Sequence, residues 1–400
     1  MFYLYLLLAL ALLVAAVFMA PPRSKVWVAF TAVATAAVAV AIPSIGVLAG
    51  AGEIELMSSI SSPLGEGSLS IDSLSAMFLL IIGLAGMATV LYSRGYLAHY
   101  LTKKSSAHIS LHYTALAVLV LSMMLVVIAD GSFLFLFAWE LMTIASFLLI
   151  LFDAERAEVL RAALAYLVMM HIGFIFLVAG FVGIDSICGN SSFEWLSVCF
   201  AEGGNTAIFV LFLIGFGMKA GLFPMHVWLP EAHPAAPSHV SAIMSGVMIK
   251  TGVYGVMRVM SYMSVTEQIH TAGIILLAVG AVTGLWGVIL AAMQNDVRME
   301  SAEKIAASGV KYYIEVANMP TTNDALDFLR KQPHMIVAPS KAVNAGGVAV
   351  SGLEMSQNSE RLVWTAEEVD EKLKGIMKVI HAMSVEAAEE YGLGYDLVAG

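Results

Sequence analysis

The chain has 400 residues, of which 60% are hydrophobic and 12% charged, and its mean hydropathy is +0.85. Soluble domains carry about 25% charged residues, so the composition excludes an ordinary soluble enzyme over most of the length and makes lipid the expected solvent. The formal net charge of -10 is unevenly spread: residues 299–400 hold 15 of the 30 acids and 9 of the 20 bases. That acidic tail points to no nucleic-acid partner.

A bilayer core about 30 Å thick needs roughly 20 apolar residues as helix. In chain order the qualifying stretches are Tyr3–Ala20, Val26–Ala49, Leu74–Leu91, Tyr113–Ala129, Phe133–Phe152, Ala162–Val182, Ala207–Phe223, Val240–Met260 and Ala272–Met293. The first lacks a basic n-region and a small-residue cleavage site, so it reads as a span and not as a signal peptide. Arg23 and Lys25, then Arg94, Lys103 and Lys104, then Arg156 and Arg161 fall on one side of such a bundle. The other side has Arg258 and the acids Glu53, Glu55, Asp130, Asp185, Glu194 and Glu202. The positive-inside rule therefore puts the N-terminus outside and the tail in the cytoplasm, in a multi-pass protein of the cell inner (plasma) membrane. Cys188 and Cys199 are the two cysteines, too few for a thiolate zinc site or an iron–sulfur cluster, and no metal is expected. They share an outer loop, as a disulfide or as two small unpaired hydrophobes.

The tail changes character. Lys311–Val316 and Met335–Val337 read as strands, Thr322–Lys331 and Ala366–Tyr391 as amphipathic helices, and Asn344–Val348 as a glycine-containing turn. This is α/β sequence joined to the membrane part without a linker. The expected domains are 1–297, transmembrane, and 298–400, soluble.

Ionisable groups inside spans are costly, and are functional candidates for that reason. Glu140 lies in the fifth span, His171 in the sixth, Lys219 in the seventh and Lys250 in the eighth. Burial moves carboxylates and lysines toward neutral-range titration, and neighbouring groups couple, which suits proton transfer. Blander accounts stand beside this one. Glu140 and Lys219 could form a structural ion pair, Lys250 could snorkel to an interface, and His171 could bond two helices together. Between the seventh and eighth spans, Phe223–Ser238 contains four prolines with His226 and His233. Such a segment cannot be one continuous helix. It reads either as broken backbone lining a polar cavity or as an ordinary loop.

The run Lys219-Ala220-Gly221-Leu222-Phe223-Pro224, His226, Trp228-Leu229-Pro230, His233-Pro234-Ala235-Ala236-Pro237-Ser238 and Ser245-Gly246-Val247-Met248, with Trp139-Glu140-Leu141-Met142, closely resembles the proton-antiporter-like membrane family. That family covers complex I antiporter-like subunits, Mrp antiporters and the hydrogenase-4 component B or formate hydrogenlyase membrane subunits. The resemblance extends over Met1–Val297. It implies that Glu140 is the key fifth-helix carboxylate, Lys219 its lysine partner and Lys250 a relay toward the channel centre. It also implies that Phe223–Pro237 is the broken helix; the residues themselves add His226 and His233, which could titrate there, and His171 as a further proton-translocation candidate. The family's second half-channel is missing from this sequence, which is expected to impair translocation.

Glu315–Thr322, Ala338–Val348 and Ser351–Asn358 resemble the C-terminal part of hexameric glutamate dehydrogenase, over about Ala302–Gly400. By that resemblance Asn344 would face the nicotinamide of NAD(P), and Val348 and Ser351 would contact glutamate. The family's catalytic lysines, its aspartate and its glycine-rich turn are missing, so cofactor binding and hydride transfer are not expected. The chain therefore reads as a chimaera: an all-α polytopic membrane protein of about nine spans with a partial Rossmann-like fragment. Its expected role is translocation of protons (or Na+) in a multi-subunit redox-driven pump, of the hydrogenase-4 or NADH:quinone oxidoreductase type. The partners are other membrane subunits and the bilayer, with no cofactor in the membrane part. A glutamate-oxidising fragment and a proton-inactive scaffold are the alternatives.

Overall fold

Where water is absent, each backbone N–H and C=O must be satisfied within its own segment, and long apolar stretches therefore fold as helices. The computed structural model describes residues 2–62, 65–190, 192–193, 195–202, 206–263, 268–293, 297–316, 320–360 and 364–399. The chain divides into Met1–Trp286 and Gly287–Gly400. This division falls inside a helix, ahead of the boundary expected at 298.

In the first unit, α1 (Phe2–Met19) and α2 (Lys25–Gly46) are followed by a wider turn through Ala51. A hairpin, β1 (Ile54–Ser62) and β2 (Gly65–Ile71), leads to α3 (Ser73–Leu97), whose N-cap Asp72 accepts from the Ser75 N–H at 2.8 Å. Then come α4 (Ser106–Ile128), the two-residue β3 (Ala129–Asp130), α5 (Ser132–Ile150) and α6 (Ala157–Cys188). The order closes with α7 (Leu196–Glu202), α8 (Thr206–Ala220), α9 (Leu229–Ala235), α10 (Ser238–Ile243), α11 (Ile249–Met263) and α12 (Gln268–Met293). Among the described residues, seven helices are long and apolar enough to cross a membrane. Two shorter apolar helices, Leu8–Met19 and Thr206–Ala220, fall at the first and seventh expected spans. The protein is thus a multi-pass membrane protein.

The sheet was not legible in the sequence. Ser68 and Leu69 of β2 pair with Asp130 and Ala129 of β3, which fixes both loops at one end of the bundle. The Phe193 N–H donates to Asp130 Oδ1 at 2.9 Å and adds the loop after α6 to that end. There Cys188 and Cys199 are joined as a disulfide. Glu194, read as an acid of the same side, lies outside the described residues. At the opposite end, Lys104 joins the α3–α4 loop to the α5–α6 loop through Asp153 at 3.2 Å and Glu155 at 2.7 Å. Two of the three basic loops therefore meet at one end.

Packing around α8 is close because small residues face it, as membrane interfaces favour. A Cβ on Gly252 of α11 would come within 2.6 Å of the Phe216 carbonyl oxygen. Gly221 ends α8 with φ +71, a conformation that glycine adopts without strain. The seventh span is broken as expected: after Gly221 come a cis Phe223–Pro224 bond and then α9, with Pro230 near its start.

The second unit contains α13 (Met299–Ala307), β4 (Tyr312–Ile314), α14 (Asn323–Arg330), β5 (Ile336–Ala338), α15 (Ser340–Val343), α16 (Ala345–Glu360) and α17 (Ala366–Glu390). β4 and β5 pair in parallel, and a small core of Ala302, Ala325, Leu329, Met335 and Val337 lies beneath them. The expected turn at Asn344–Val348 is corrected. Only Asn344 is a turn, and Ala345–Val348 open α16, because the Asn344 carbonyl accepts from the Gly347 N–H at 3.1 Å and starts a helical ladder. Ala317, Asn318 and Met319 of the quoted motif lie outside the described residues, as do the side chain of Asn358 and residues 361–363.

Candidate functional site: titratable groups inside the bundle

α5 presents two faces. Successive residues of a helix are turned by about 100°, so Glu140 faces α6 while Trp139 and Thr143 face α8. Glu140 therefore meets His171 and makes no ion pair with Lys219 among the described residues: His171 Nε2 lies 3.0 Å from Glu140 Oε1. The structural ion pair that was the blander account of Glu140 and Lys219 is therefore not made. His171 Nδ1 sits 2.8 Å from the Leu167 carbonyl oxygen. A carbonyl only accepts, so Nδ1 bears a hydrogen. Two bare lone pairs would repel at 3.0 Å, so the Glu140–His171 contact holds one proton, either on Nε2 or on Oε1. Glu140 Oε2 is buried with no protein hydrogen-bond partner. His171 thus does join two helices, as its blander reading has it, but through a proton-holding contact. The pair is partly open, with side-chain exposures of 50% for His171 and 22% for Glu140.

Lys219, on α8, is buried. Its Nζ donates to Thr143 Oγ1 at 2.9 Å and to Tyr166 OH at 3.4 Å, and lies 5.4 Å from the centre of the Trp139 ring. Tyr166 OH is 2.5 Å from Ser146 Oγ, and Ser146 donates to the Met142 carbonyl. A hydrogen-bonded chain thus links ammonium, phenol and hydroxyl and ends on a backbone carbonyl. Sequence reasoning missed Thr143, Ser146 and Tyr166, whose neutral side chains do not stand out in a span. The available signal was the spacing of Thr143 and Ser146, three and six residues after Glu140.

Lys250 is exposed, and its Nζ donates to the Ser245 carbonyl at 2.5 Å. The wide turn Met244–Met248 loosens the helical ladder there and offers that carbonyl. Lys250 thus stands midway along the Ser238–Met263 span, as expected, with its side chain on an exposed face. His233 Nδ1 is 3.0 Å from Ser241 Oγ, and His233 lies within electrostatic reach of Lys250. His226 stacks on Phe223 with ring centres 5.7 Å apart, and its Nδ1 is buried without a protein partner. The structure thus forms a central group (Glu140, His171 and, separately, Lys219) and a group at the broken segment (His233 and Lys250).

In the tail, Asn344 caps α15, Val348 is 76% exposed, and Ser351 is exposed on α16. Asn344 itself is half-buried.

The family model "NADH:quinone oxidoreductase/Mrp antiporter, TM" matches residues 129–309, and that of Glutamate/Leucine/Phenylalanine/Valine dehydrogenase matches residues 258–400. Hydrogenase-4 component B of Escherichia coli (strain K12) is 34% identical over 235 residues, 58% of this chain and 34% of that protein. NAD-specific glutamate dehydrogenase of Clostridium symbiosum is 73% identical over 109 residues, 27% of this chain and 24% of that protein. The chain thus spans about a third or less of the length of either relative. The structure of an archaeal membrane-bound sulfane sulfur reductase complex matches with TM-score 0.59 at 17% identity, over 69% of this chain and 56% of that chain. That likeness shows the fold. The chain joins an antiporter-like membrane segment to a glutamate dehydrogenase-like segment.

Proposed function

We propose that the membrane part of this antiporter-like chain moves protons as one subunit of a larger redox-driven complex, of the hydrogenase-4, formate hydrogenlyase or NADH:quinone oxidoreductase type. The observation that supports this most is the Glu140–His171 contact, which holds one proton near the middle of two spans. Lys219, bonded to Thr143 and Tyr166, is the second proton-exchanging group, and His226, His233 and Lys250 serve the broken segment. The half-open Glu140–His171 pair would face lipid in an isolated chain. Polar groups in spans face protein or water-filled cavities, so a neighbouring membrane subunit is the proposed cover. The tail is proposed to bind no NAD(P) and to transfer no hydride.

Lys219→Arg separates proton exchange from packing. Arginine keeps the charge but does not release its proton in proteins. Proton flux into dye-loaded vesicles is expected to fall by about tenfold, with thermal unfolding little changed. A specific observation favours a second reading: Lys219 bonds Thr143 and Tyr166 without Glu140, as a structural lock would. Unchanged flux in Lys219→Arg would make Lys219 a structural lock, and no flux in either wild type or variant would support the proton-inactive scaffold.

The proposed location is the inner membrane with the N-terminus outside and the tail in the cytoplasm, supported by the basic loops gathered at one end. Cys188 sits at the other end. In Cys199→Ser, an impermeant maleimide should label Cys188 in right-side-out vesicles. Labelling only in inverted vesicles would reverse the topology.

A further inference from the structure

The basic end contains a second pair of titratable groups that the central site does not use. His112 on α4 and His239 on α10 are both buried, with Nε2 atoms 2.8 Å apart. Two lone pairs do not approach that closely, so one nitrogen carries a hydrogen and the other accepts it. Each ring's Nδ1 is buried with no protein hydrogen-bond partner. A structural histidine pair would tie those atoms to carbonyls, as His171 does with Leu167. Leaving buried polar atoms unbonded is costly and is a feature to be explained.

We propose that His112 and His239 form a proton-relay pair, entered and left through their two Nδ1 atoms, which feeds the bundle from its basic end. The inference rests on the proton-translocation reading. The passage balances. A proton binds His112 Nδ1, and the His112 Nε2–H bond breaks as the Nε2–H bond of His239 forms. The Nδ1–H bond of His239 then breaks and releases one proton. Both rings end neutral, each in its other tautomer, and ring rotation resets them.

The surroundings suit a guarded wire. Tyr96 of α3 meets the His239 ring edge-on at 5.1 Å, and Phe152 meets the His112 ring at 4.9 Å. The titratable and charged groups around the pair are His108 and Tyr113 on α4, Tyr96 on α3, and Lys104 with Asp153 beyond Phe152. No carboxylate contacts either ring among the described residues, so no fixed charge traps the proton there. His108 lies one turn before His112, at the loop end of α4, and is half-buried. It is the natural entry group. His239 opens α10, directly after the broken segment, and is the exit toward it.

The test uses the full chain in lipid bilayers with nitrogen-15-labelled histidine. Solid-state spectra of the wild type should show the His112 and His239 nitrogens averaged between protonated and unprotonated states. His239→Gln should freeze His112 as a single tautomer, and flux into vesicles should fall by about tenfold. His112→Gln is the second variant, should His239→Gln fail to fold. Fixed tautomers in the wild type, or unchanged flux in a folded variant, would overturn the relay. Absence of flux in wild-type vesicles that also hold the neighbouring membrane subunits would instead sink the proton-translocation reading, and tautomer exchange alone would then decide the pair.

Discussion

Glu140→Gln is expected to abolish proton movement through the membrane part, by at least about a hundredfold, and to leave the bundle folded. The amide has the shape of the carboxyl group. Its N–H can donate to His171 Nε2, so the contact between α5 and α6 survives. What disappears is the proton that Glu140 and His171 hold between them at 3.0 Å, because an amide does not titrate. His171 is then fixed as the neutral form with its hydrogen on Nδ1, bonded to the Leu167 carbonyl. Vesicle flux and thermal unfolding, measured on the same preparation, check both halves. Undiminished flux in a folded variant would remove Glu140 from the path.

Asp72→Asn is expected to loosen the acidic end of the bundle. Arg258 binds Asp72 twice, Nη1 to Oδ2 at 2.5 Å and Nη2 to Oδ1 at 2.9 Å, and also bonds Ser75 and Tyr254. Tyr254 in turn donates to the Val127 carbonyl at 2.8 Å. One guanidinium therefore ties α3, α4 and α11 together. Removing one partner of a buried pair costs about 3–5 kcal/mol. The Asp72 side chain is 32% exposed, so water relieves part of this and about 2–3 kcal/mol is expected. Burial pushes the Asp72 carboxyl up, but the Arg258 guanidinium and the bonds from Ser75 outweigh it and hold the group below its usual range. With a depressed folded pKa, its stabilisation is complete above the usual carboxylate range and is lost as pH falls through the folded value. Midpoints of unfolding across the acid range should fall steeply in the wild type and less steeply in Asp72→Asn. Parallel curves would show that the pair carries no such linkage.

Long apolar stretches and their charges were legible, because hydropathy decides where a chain can cross a bilayer and charge is rare inside it. Glu140 and Lys219 were found this way. Their partners were not, since side-chain direction depends on rotation within a few residues: Glu140 points at α6, whereas Thr143, three residues on, points at Lys219. Arg258 read as a surface charge of a loop side, yet it turns back into the bundle toward Asp72, a contact between residues 186 positions apart. Lys250 read as central along its span, and it is, but its side chain turns onto an exposed face where the wide turn before it offers the Ser245 carbonyl. The hairpin at Ile54–Ile71 was hidden by its serines, which resemble a loop when their pairing is unseen. His112 and His239 were passed over because each falls one residue before an expected span, at Tyr113 and Val240, where an ionisable group carries no membrane cost.

The most direct measurement is proton flux in vesicles that hold the wild-type chain together with its neighbouring membrane subunits, driven by an imposed membrane potential and read by an internal pH dye. The account predicts flux above that of vesicles lacking this chain, dependent on Glu140. Flux no greater than that of vesicles lacking this chain, with the protein folded and correctly inserted, would contradict it.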